Sequence, residues 1–194
     1  MYAYLSGDLT FKSPAMVYLD VNGVGYEVNI SLHTWSAIQH LEKAKLYTWF
    51  QVKEDAHTLY GFADEGERRL FLHLISVSGI GPTTCRMMLS SITPVEIQNA
   101  IIQADVALIQ QIKGIGAKSA QRIVLELQDK LKKEGPDSLI SMPLHNTTRD
   151  EALSALIMLG FGKQVADKAL DNAIKKADQD LTVEQMIKVA LKNL

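Results

Sequence analysis

The sequence has one cysteine, little net charge and no long apolar run. Cys85 is the only cysteine among the 194 residues, so no disulfide can form within the chain. A lone cysteine is typical of a reducing compartment and excludes a disulfide-stapled scaffold. No apolar run approaches the ~18 residues that a membrane helix needs, and no basic segment followed by an apolar one opens the chain. We therefore expect a cytoplasmic protein without a membrane partner.

The charge balance does not by itself predict a nucleic-acid binder, since the net charge is −2. The most basic region is 64–134, where nine lysines and arginines stand against eight acids. Affinity for a polyanion would therefore have to come from the local placement of charges and backbone N–H groups.

The sequence offers no pattern for a metal or a catalytic centre. The five histidines are scattered and show no metal-ligand spacing. Cys85 occupies an apolar position in a helical pattern, which predicts a buried thiol and not a nucleophile. We expect no metal, no cofactor and no catalytic residue.

Residues 1–63 show the pattern of a small β domain. Apolar and polar residues alternate over 15–31, with the turn residues Asn22–Gly25 in the middle, which predicts a hairpin. A second hairpin is predicted over 46–62, and one short helix over 32–39. Short strands, close turns and one helix favour an OB-type β-barrel, a fold that serves many nucleic-acid binders.

The remainder is predicted to be helical, which makes the chain an α+β multidomain protein. Residues 64–134 form a middle helical domain, and 135–148, rich in Gly, Pro, Ser and Asn, form a flexible linker. Residues 149–194 form a C-terminal three-helix bundle. Its last helix is predicted to begin after Thr182, because Gln185 completes a capping-box pattern.

The middle region contains an internal repeat. Gly79-Ile80-Gly81 recurs 35 residues later as Gly114-Ile115-Gly116, and the apolar positions on either side match at helical spacing. A single Gly-x-Gly is typical of a helix C-cap between packed helices. Two copies in register predict a pair of helix-hairpin-helix motifs.

Such a turn has a specific physical use. Its first glycine can adopt a backbone conformation that other residues resist, and its second lets a ligand approach the backbone closely. The isoleucine packs the turn into the helices. The next helix begins with free N–H groups and a positive dipole end, which bind phosphate without reading bases. The predicted backbone-binding set is Gly79, Gly81, Thr83, Thr84, Arg86, Gly114, Gly116, Lys118, Ser119 and Arg122.

A nucleotide P-loop is an alternative for the second turn, because Lys118 and Ser119 follow Gly116. The P-loop pattern needs glycine immediately before the lysine and again five residues earlier. Ala117 and Ile112 occupy those positions, so we predict no ATP site.

Taken together, the paired Gly-Ile-Gly turns, the barrel and the tethered helical tail resemble the RuvA family, the Holliday-junction-binding subunits of the RuvAB branch-migration complex. The resemblance covers essentially the whole chain. Local support comes from 52–62, which is similar to the family's acidic hairpin and the end of its barrel, and from 113–122, which is similar to its second helix-hairpin-helix.

The resemblance implies a set of expectations about partners. The protein is expected to be bacterial, to form a homotetramer and to bind four-way junction DNA with one or two tetramers. Glu54 and Asp55 would gather at the centre as an acidic pin. The C-terminal domain, which is UBA-like in the family, would contact the RuvB AAA+ motor, and the nuclease RuvC would resolve the junction. Within this domain, Leu156, Leu159 and Phe161 are either core residues or the residues that face the motor. Thr83 stands where we expect lysine in many members, so a cationic phosphate contact is in doubt there.

Two other functions fit parts of the sequence. A helix-hairpin-helix DNA glycosylase carries a Gly/Pro-rich loop and a catalytic aspartate about 20 residues after its hairpin, and Asp137 lies 21 residues after Gly116. This aspartate, however, enters the predicted linker. A scaffold whose hairpins contact protein is the other alternative, and a DNA-binding measurement distinguishes such a scaffold from a junction-binding protein.

Overall fold

The computed structural model describes residues 2–134, 148–175 and 181–191, which fall into two compact units. The first unit contains residues 2–134, and the second contains the described residues from 148 to 191. The predicted linker 135–148 lies outside the described residues except for Thr148, and so does Asp137.

A closed five-stranded barrel opens the first unit. Its strands are β1 (Tyr4–Ser13), β2 (Met16–Val21), β3 (Val24–Ile30), β4 (Lys43–Val52) and β5 (His57–Phe62), with helix α1 (Leu32–Ile38) between β3 and β4. The order around the barrel is β1-β2-β3-β5-β4, and only the β3–β5 pair is parallel. The predicted OB-type barrel is confirmed.

Alternation of side chains explains the barrel interior. Val17, Leu19, Val28 and Leu46 point inward and have no exposed surface, while their neighbours along each strand face outward. The tight β2–β3 turn has a positive φ at Asn22 and Gly23, as a two-residue hairpin requires. The predicted hairpin is therefore confirmed, and its turn is shorter than the four residues expected.

Strand β1 was not singled out by the sequence pattern. A register shift between Leu9 and Phe11 breaks its alternation, and Gly7 interrupts it. A Cβ on Gly7 would lie 1.9 Å from the carbonyl oxygen of Asp20, so the glycine permits a close approach of the β1 and β2 backbones. Irregularity of this kind hides a strand from a period-2 pattern.

Five helices complete the first unit. They are α2 (Glu65–Ser76), α3 (Pro82–Ser91), α4 (Pro94–Ile102), α5 (Val106–Gln110) and α6 (Ala117–Glu134). Their core continues into the barrel through aromatic rings that pack at tilted angles: the ring centroid of Phe71 on α2 lies 4.9 Å from that of Phe62, 5.3 Å from that of Trp49 and 5.6 Å from that of Tyr60. The division into a barrel domain (1–63) and a helical domain (64–134) stays a proposal, since the two share this core.

The second unit is a bundle of α7 (Thr148–Met158), α8 (Lys163–Lys175) and α9 (Val183–Leu191). The predicted capping box is confirmed: the Gln185 N–H donates to Thr182 Oγ1 at 3.3 Å, and the Thr182 N–H donates to Gln185 Oε1 at 3.0 Å. No helix in the described part of the chain is long and apolar enough to cross a membrane.

Replacing Gly7 with alanine should destabilise the barrel by roughly 1–3 kcal/mol, because the added methyl would force the Asp20 backbone away. Gly25→Ala is the matched control, since a Cβ there meets nothing within 4 Å. Urea unfolding of both variants measures the difference. Equal stability of the two variants would contradict the close β1–β2 approach.

Candidate nucleic-acid interface

The first Gly-Ile-Gly turn joins α2 to α3 with the predicted geometry. Gly79 has a φ of +87°, a left-handed conformation that favours glycine. Ile80 is 6% exposed and packs into the helical core. Gly81 has an ordinary φ of −97° and is the N-cap residue of α3. No side chain caps the N–H groups at the start of this helix. Pro82, the first residue of α3, has no N–H, so the free backbone donors at this helix start are those of Gly81, Thr83 and Thr84.

The second turn repeats this geometry between α5 and α6. Gly114 has a φ of +89°, and Ile115 is 5% exposed. A Cβ on Gly116, like one on Gly81, would meet nothing within 4 Å, so the backbone of both second glycines is open to a ligand. The prediction of a left-handed first glycine and a buried isoleucine is confirmed in both copies.

The two turns lie side by side because each one contacts the helix that follows the other. A Cβ on Gly79 would lie 4.0 Å from Arg122 on α6, and one on Gly114 would lie 3.9 Å from Met87 on α3. Arg122 Nη1 also donates to the carbonyl oxygen of Ser78 at 3.1 Å. The fold thus brings the two predicted phosphate sites together on one unit.

The side chains at the two helix starts differ in chemistry. Thr83 and Thr84 lie in the first turn of α3, Thr83 exposed and Thr84 half-buried. Lys118 and Ser119 lie in the first turn of α6, Lys118 exposed and Ser119 half-buried. The second copy can therefore add a cation to its backbone donors, whereas the first offers hydroxyls.

Two arginines of the predicted set make bonds inside the protein. Arg86 Nη1 donates to the carbonyl oxygen of Ala15 at 3.1 Å and to Asn29 Oδ1 at 2.7 Å. Arg122 bonds to Ser78, as described above, and its Nε lies 3.9 Å from Glu126. Their contact with phosphate stays a prediction. The bonds to Ala15, Asn29 and Ser78 could not be read from the repeat, because these partners lie 44 to 71 residues away in the chain.

The acidic tip joins β4 to β5. The Lys53 N–H donates to the carbonyl oxygen of Ala56 at 2.9 Å, which closes a tight turn around Glu54 and Asp55. Both acids are exposed at the end of the hairpin. The barrel therefore presents two carboxylates together, with no basic side chain between them.

A cavity of about 660 Å³ contains a cluster that sequence reasoning missed, made of His33, Asp64 and Glu67. Donor atoms of the three lie within 4.8 Å of one another, a spacing that could hold a metal ion. Each carboxylate already has a structural role, however. Asp64 caps α2 through the Glu67 N–H, and Glu67 accepts hydrogen bonds from the hydroxyls of Ser31 and Thr34. The cluster thus joins α1 to α2.

The electrostatics of this cluster follow from burial and proximity. Interaction with the Asp64 carboxylate raises the pKa of His33 above 6.5, although burial opposes the shift. Burial favours a higher pKa for Asp64, but His33 and backbone N–H groups outweigh it and lower that pKa. Burial raises the pKa of Glu67, against the hydroxyls of Ser31 and Thr34.

Cys85 is fully buried in the helical core, as predicted. Burial raises the pKa of its thiol to about 12, so the reactive thiolate is scarce at neutral pH. This cysteine therefore serves packing.

The tail residues separate into core and surface. Leu156 has no exposed surface and packs among α7, α8 and α9, so the expectation that it contacts a partner is corrected: its side chain belongs to the core. Leu159 is 62% exposed, and Phe161 is half-buried against the core. Met158, which sequence reasoning missed, is 88% exposed. Helical periodicity alone does not tell which apolar face of a short helix turns inward.

Three family models match consecutive parts of the chain. The family models that match are the RuvA N terminal domain over residues 1–61, the SAM-like helix-hairpin-helix tandem over 71–129 and the RuvA C-terminal domain over 147–194. A protein of Cytophaga hutchinsonii is 51% identical over 197 residues, 99% of each chain. One of Christiangramia forsetii is 50% identical over 194 residues, all of each chain, and one of Bacteroides fragilis is 45% identical over 202. All three are named Holliday junction branch migration complex subunit RuvA.

Replacing Gly79 with alanine should lower the free energy of unfolding by about 1–2 kcal/mol, because an L side chain resists its positive φ. Gly81→Ala should change stability little, since its φ is ordinary and its surroundings are open. Chemical denaturation of both variants checks this. A neutral Gly79→Ala would mean that the turn can relax to another conformation.

The His33–Asp64 pair should make stability depend on pH. Because the folded-state pKa of His33 is raised, its contribution is fully present below pH 6.5 and is lost as the pH rises through the folded-state pKa. The stability difference between wild type and His33→Gln should therefore shrink as pH rises above 6.5. Urea unfolding across this range measures it, and a difference that stays constant or grows would contradict the pairing.

Proposed function

Because the chain belongs to the RuvA family, we propose that it binds four-way junction DNA as the non-catalytic subunit of a branch-migration complex. The observation that carries this function is the pair of Gly-Ile-Gly turns, set side by side with both second glycines open. Two such turns can hold two phosphates of one duplex arm through backbone N–H groups. Binding of this kind does not depend on base sequence.

The acidic tip supplies selectivity for the junction. In the proposed complex, Glu54 and Asp55 face the point where the strands cross and phosphates converge. Like charges repel there, most strongly where water is partly excluded. This repulsion favours an open junction with separated strands. It also disfavours continuous duplex, which has no central opening to receive the tip.

We propose a homotetramer, because a four-way junction has four arms and each subunit carries one pair of phosphate-binding turns. The small charge of residues 64–134 makes each subunit a modest polyanion binder. Four linked copies raise the affinity through effective concentration. Salt should weaken the complex steeply, since phosphate contacts release counterions. A mass measurement of the complex distinguishes one bound tetramer from two.

The second unit is proposed to bind the RuvB motor, which supplies the ATPase activity. Leu159 and Met158 are exposed beside Gly160, whose positive φ ends α7, and together they offer a small apolar patch. Phe161 supports this patch from the core side. Cytoplasmic location, action in recombination and repair, and cooperation with the RuvC nuclease complete the proposal. Base excision is not part of this function, because the subunit is non-catalytic.

The proposal is tested by titrating the protein against a four-way junction and against linear duplex with the same arms, in moderate salt without ATP. Glu54→Gln/Asp55→Asn should improve duplex binding and reduce the junction preference by roughly fivefold, about 1 kcal/mol of lost repulsion. Comparable weak binding of both DNAs by the wild type would refute junction recognition.

A control for charge is Glu42→Gln. Glu42 immediately precedes β4 and is exposed, whereas Glu54 follows the other end of that strand. Removing its charge should leave the preference for the junction unchanged. If Glu42→Gln and Glu54→Gln have the same effect, the tip acts only through net charge.

A further inference from the structure

We infer that Arg86 is a positioning residue for junction recognition, which holds the first phosphate-binding turn at a set place relative to the acidic tip. This inference rests on the function proposed above. It differs from the direct phosphate contact that the repeat predicted for Arg86, and it concerns selectivity for the junction more than affinity for DNA.

The guanidinium of Arg86 connects a helix to two parts of the barrel. Nη1 donates to the carbonyl oxygen of Ala15, in the turn between β1 and β2, and to Oδ1 of Asn29 on β3. One nitrogen therefore uses both its protons inside the protein. Bonds from a charged donor are stronger than neutral ones, and Arg86 is half-buried, which limits competition from water.

A second hydrogen bond connects α3 to the barrel region one helical turn further along the helix. We call the contacts of Arg86 and Ser90 with that region the joint. The Leu32 N–H, at the start of α1, donates to Ser90 Oγ at 3.0 Å. The Ser90 hydroxyl donates in turn to the carbonyl oxygen of Arg86 at 2.8 Å. Arg86 and Ser90 thus share the face of α3 that lies against the barrel.

The phosphate-binding end of α3 lies beside this joint. Thr83, in the first turn of α3, lines a cleft of about 230 Å³ together with Pro14, Ala15 and Arg86. A change in how Arg86 meets Ala15 would therefore shift the helix start at which the first turn binds phosphate.

The other side of the joint leads to the acidic tip. Asn29 is paired with Tyr60 of β5 in the parallel β3–β5 ladder, and its Nδ2 donates to the carbonyl oxygen of Leu59 at 3.4 Å. Strand β5 is the strand that returns from the tip containing Glu54 and Asp55. The path from turn to tip is thus α3, Arg86, Asn29 and β5.

This path explains why the joint matters for a junction and little for a duplex. A duplex needs only the two turns, whose mutual placement depends on α6 and Arg122. A junction must contact the turns and the tip at the same time, so the distance between the turns and the tip must be fixed. Loosening the joint should therefore weaken junction binding selectively.

The test compares Asn29→Ala with Arg86→Gln, using a four-way junction and a matched duplex as probes. Asn29→Ala removes the acceptor without changing any charge. Both variants should weaken junction binding by about threefold to tenfold, the loss expected for one hydrogen bond of ordinary strength, and duplex binding by less than about twofold. The double variant should lose less than the two single effects combined, because both changes break the bond between Arg86 and Asn29.

Lys118→Gln is the contrasting variant, since Lys118 is the exposed cation of the second turn. It should weaken binding to both DNAs alike and lower the salt slope of log K by about 0.9 for each subunit that contacts the DNA, as loss of one phosphate contact per subunit does. If Arg86→Gln behaves like Lys118→Gln and Asn29→Ala has no effect, Arg86 is a phosphate ligand and the inference is wrong.

Hydrogen exchange of the free protein separates this outcome from failure of the proposed function. Amides in residues 13–16 and 83–87 should exchange faster in Asn29→Ala and Arg86→Gln than in wild type, with no DNA present. Unchanged exchange in both variants would overturn the inference. A wild type without junction preference would instead overturn the function, whatever the exchange shows. If Arg86→Gln does not fold, Arg86→Lys, which keeps the charge, takes its place in the comparison.

Discussion

The left-handed backbone at Gly79 and Gly114 is the constraint from which the site follows. Each positive φ turns the chain sharply between two helices, and the buried isoleucine that follows holds the turn against the core. The next helix must then begin at an open glycine, with its first N–H groups unpaired by side chains or by the helix itself. In the proposed function, phosphate binding depends on backbone placement, so that a chain with a net charge of −2 can bind a polyanion.

Placement alone would give two turns that bind any duplex. Selectivity requires that the turns stand in a set relation to the carboxylates of the barrel, and the structure provides that relation by joining barrel and helices into one unit. The tilted aromatic rings around Phe71 form the apolar contact between the barrel and the helices. The buried carboxylate of Glu67 links α1 to α2, and Arg86 links α3 to β3. In the proposed complex, each of these contacts governs how the turns and the tip meet the DNA.

The sequence predicted the features that repeat or alternate locally. The barrel hairpin at Asn22, the glycine turns and the cap of α9 at Thr182 all follow from short-range rules of backbone conformation. It could not predict contacts between distant segments: the partner of Arg86 on β3 is 57 residues away in the chain. Irregular strand β1 escaped a pattern of period 2, and the burial of Leu156 depended on how three short helices pack.

The central claim is that backbone N–H groups of both turns bind the DNA. Amide chemical shifts of the protein, recorded by relaxation-optimised NMR with and without a four-way junction, test it most directly. The account predicts that the largest changes fall at the amides of residues 79–81, 83–84 and 114–119, in both copies together and independently of arm sequence. Large changes confined to other surfaces, or to one turn only, would contradict it.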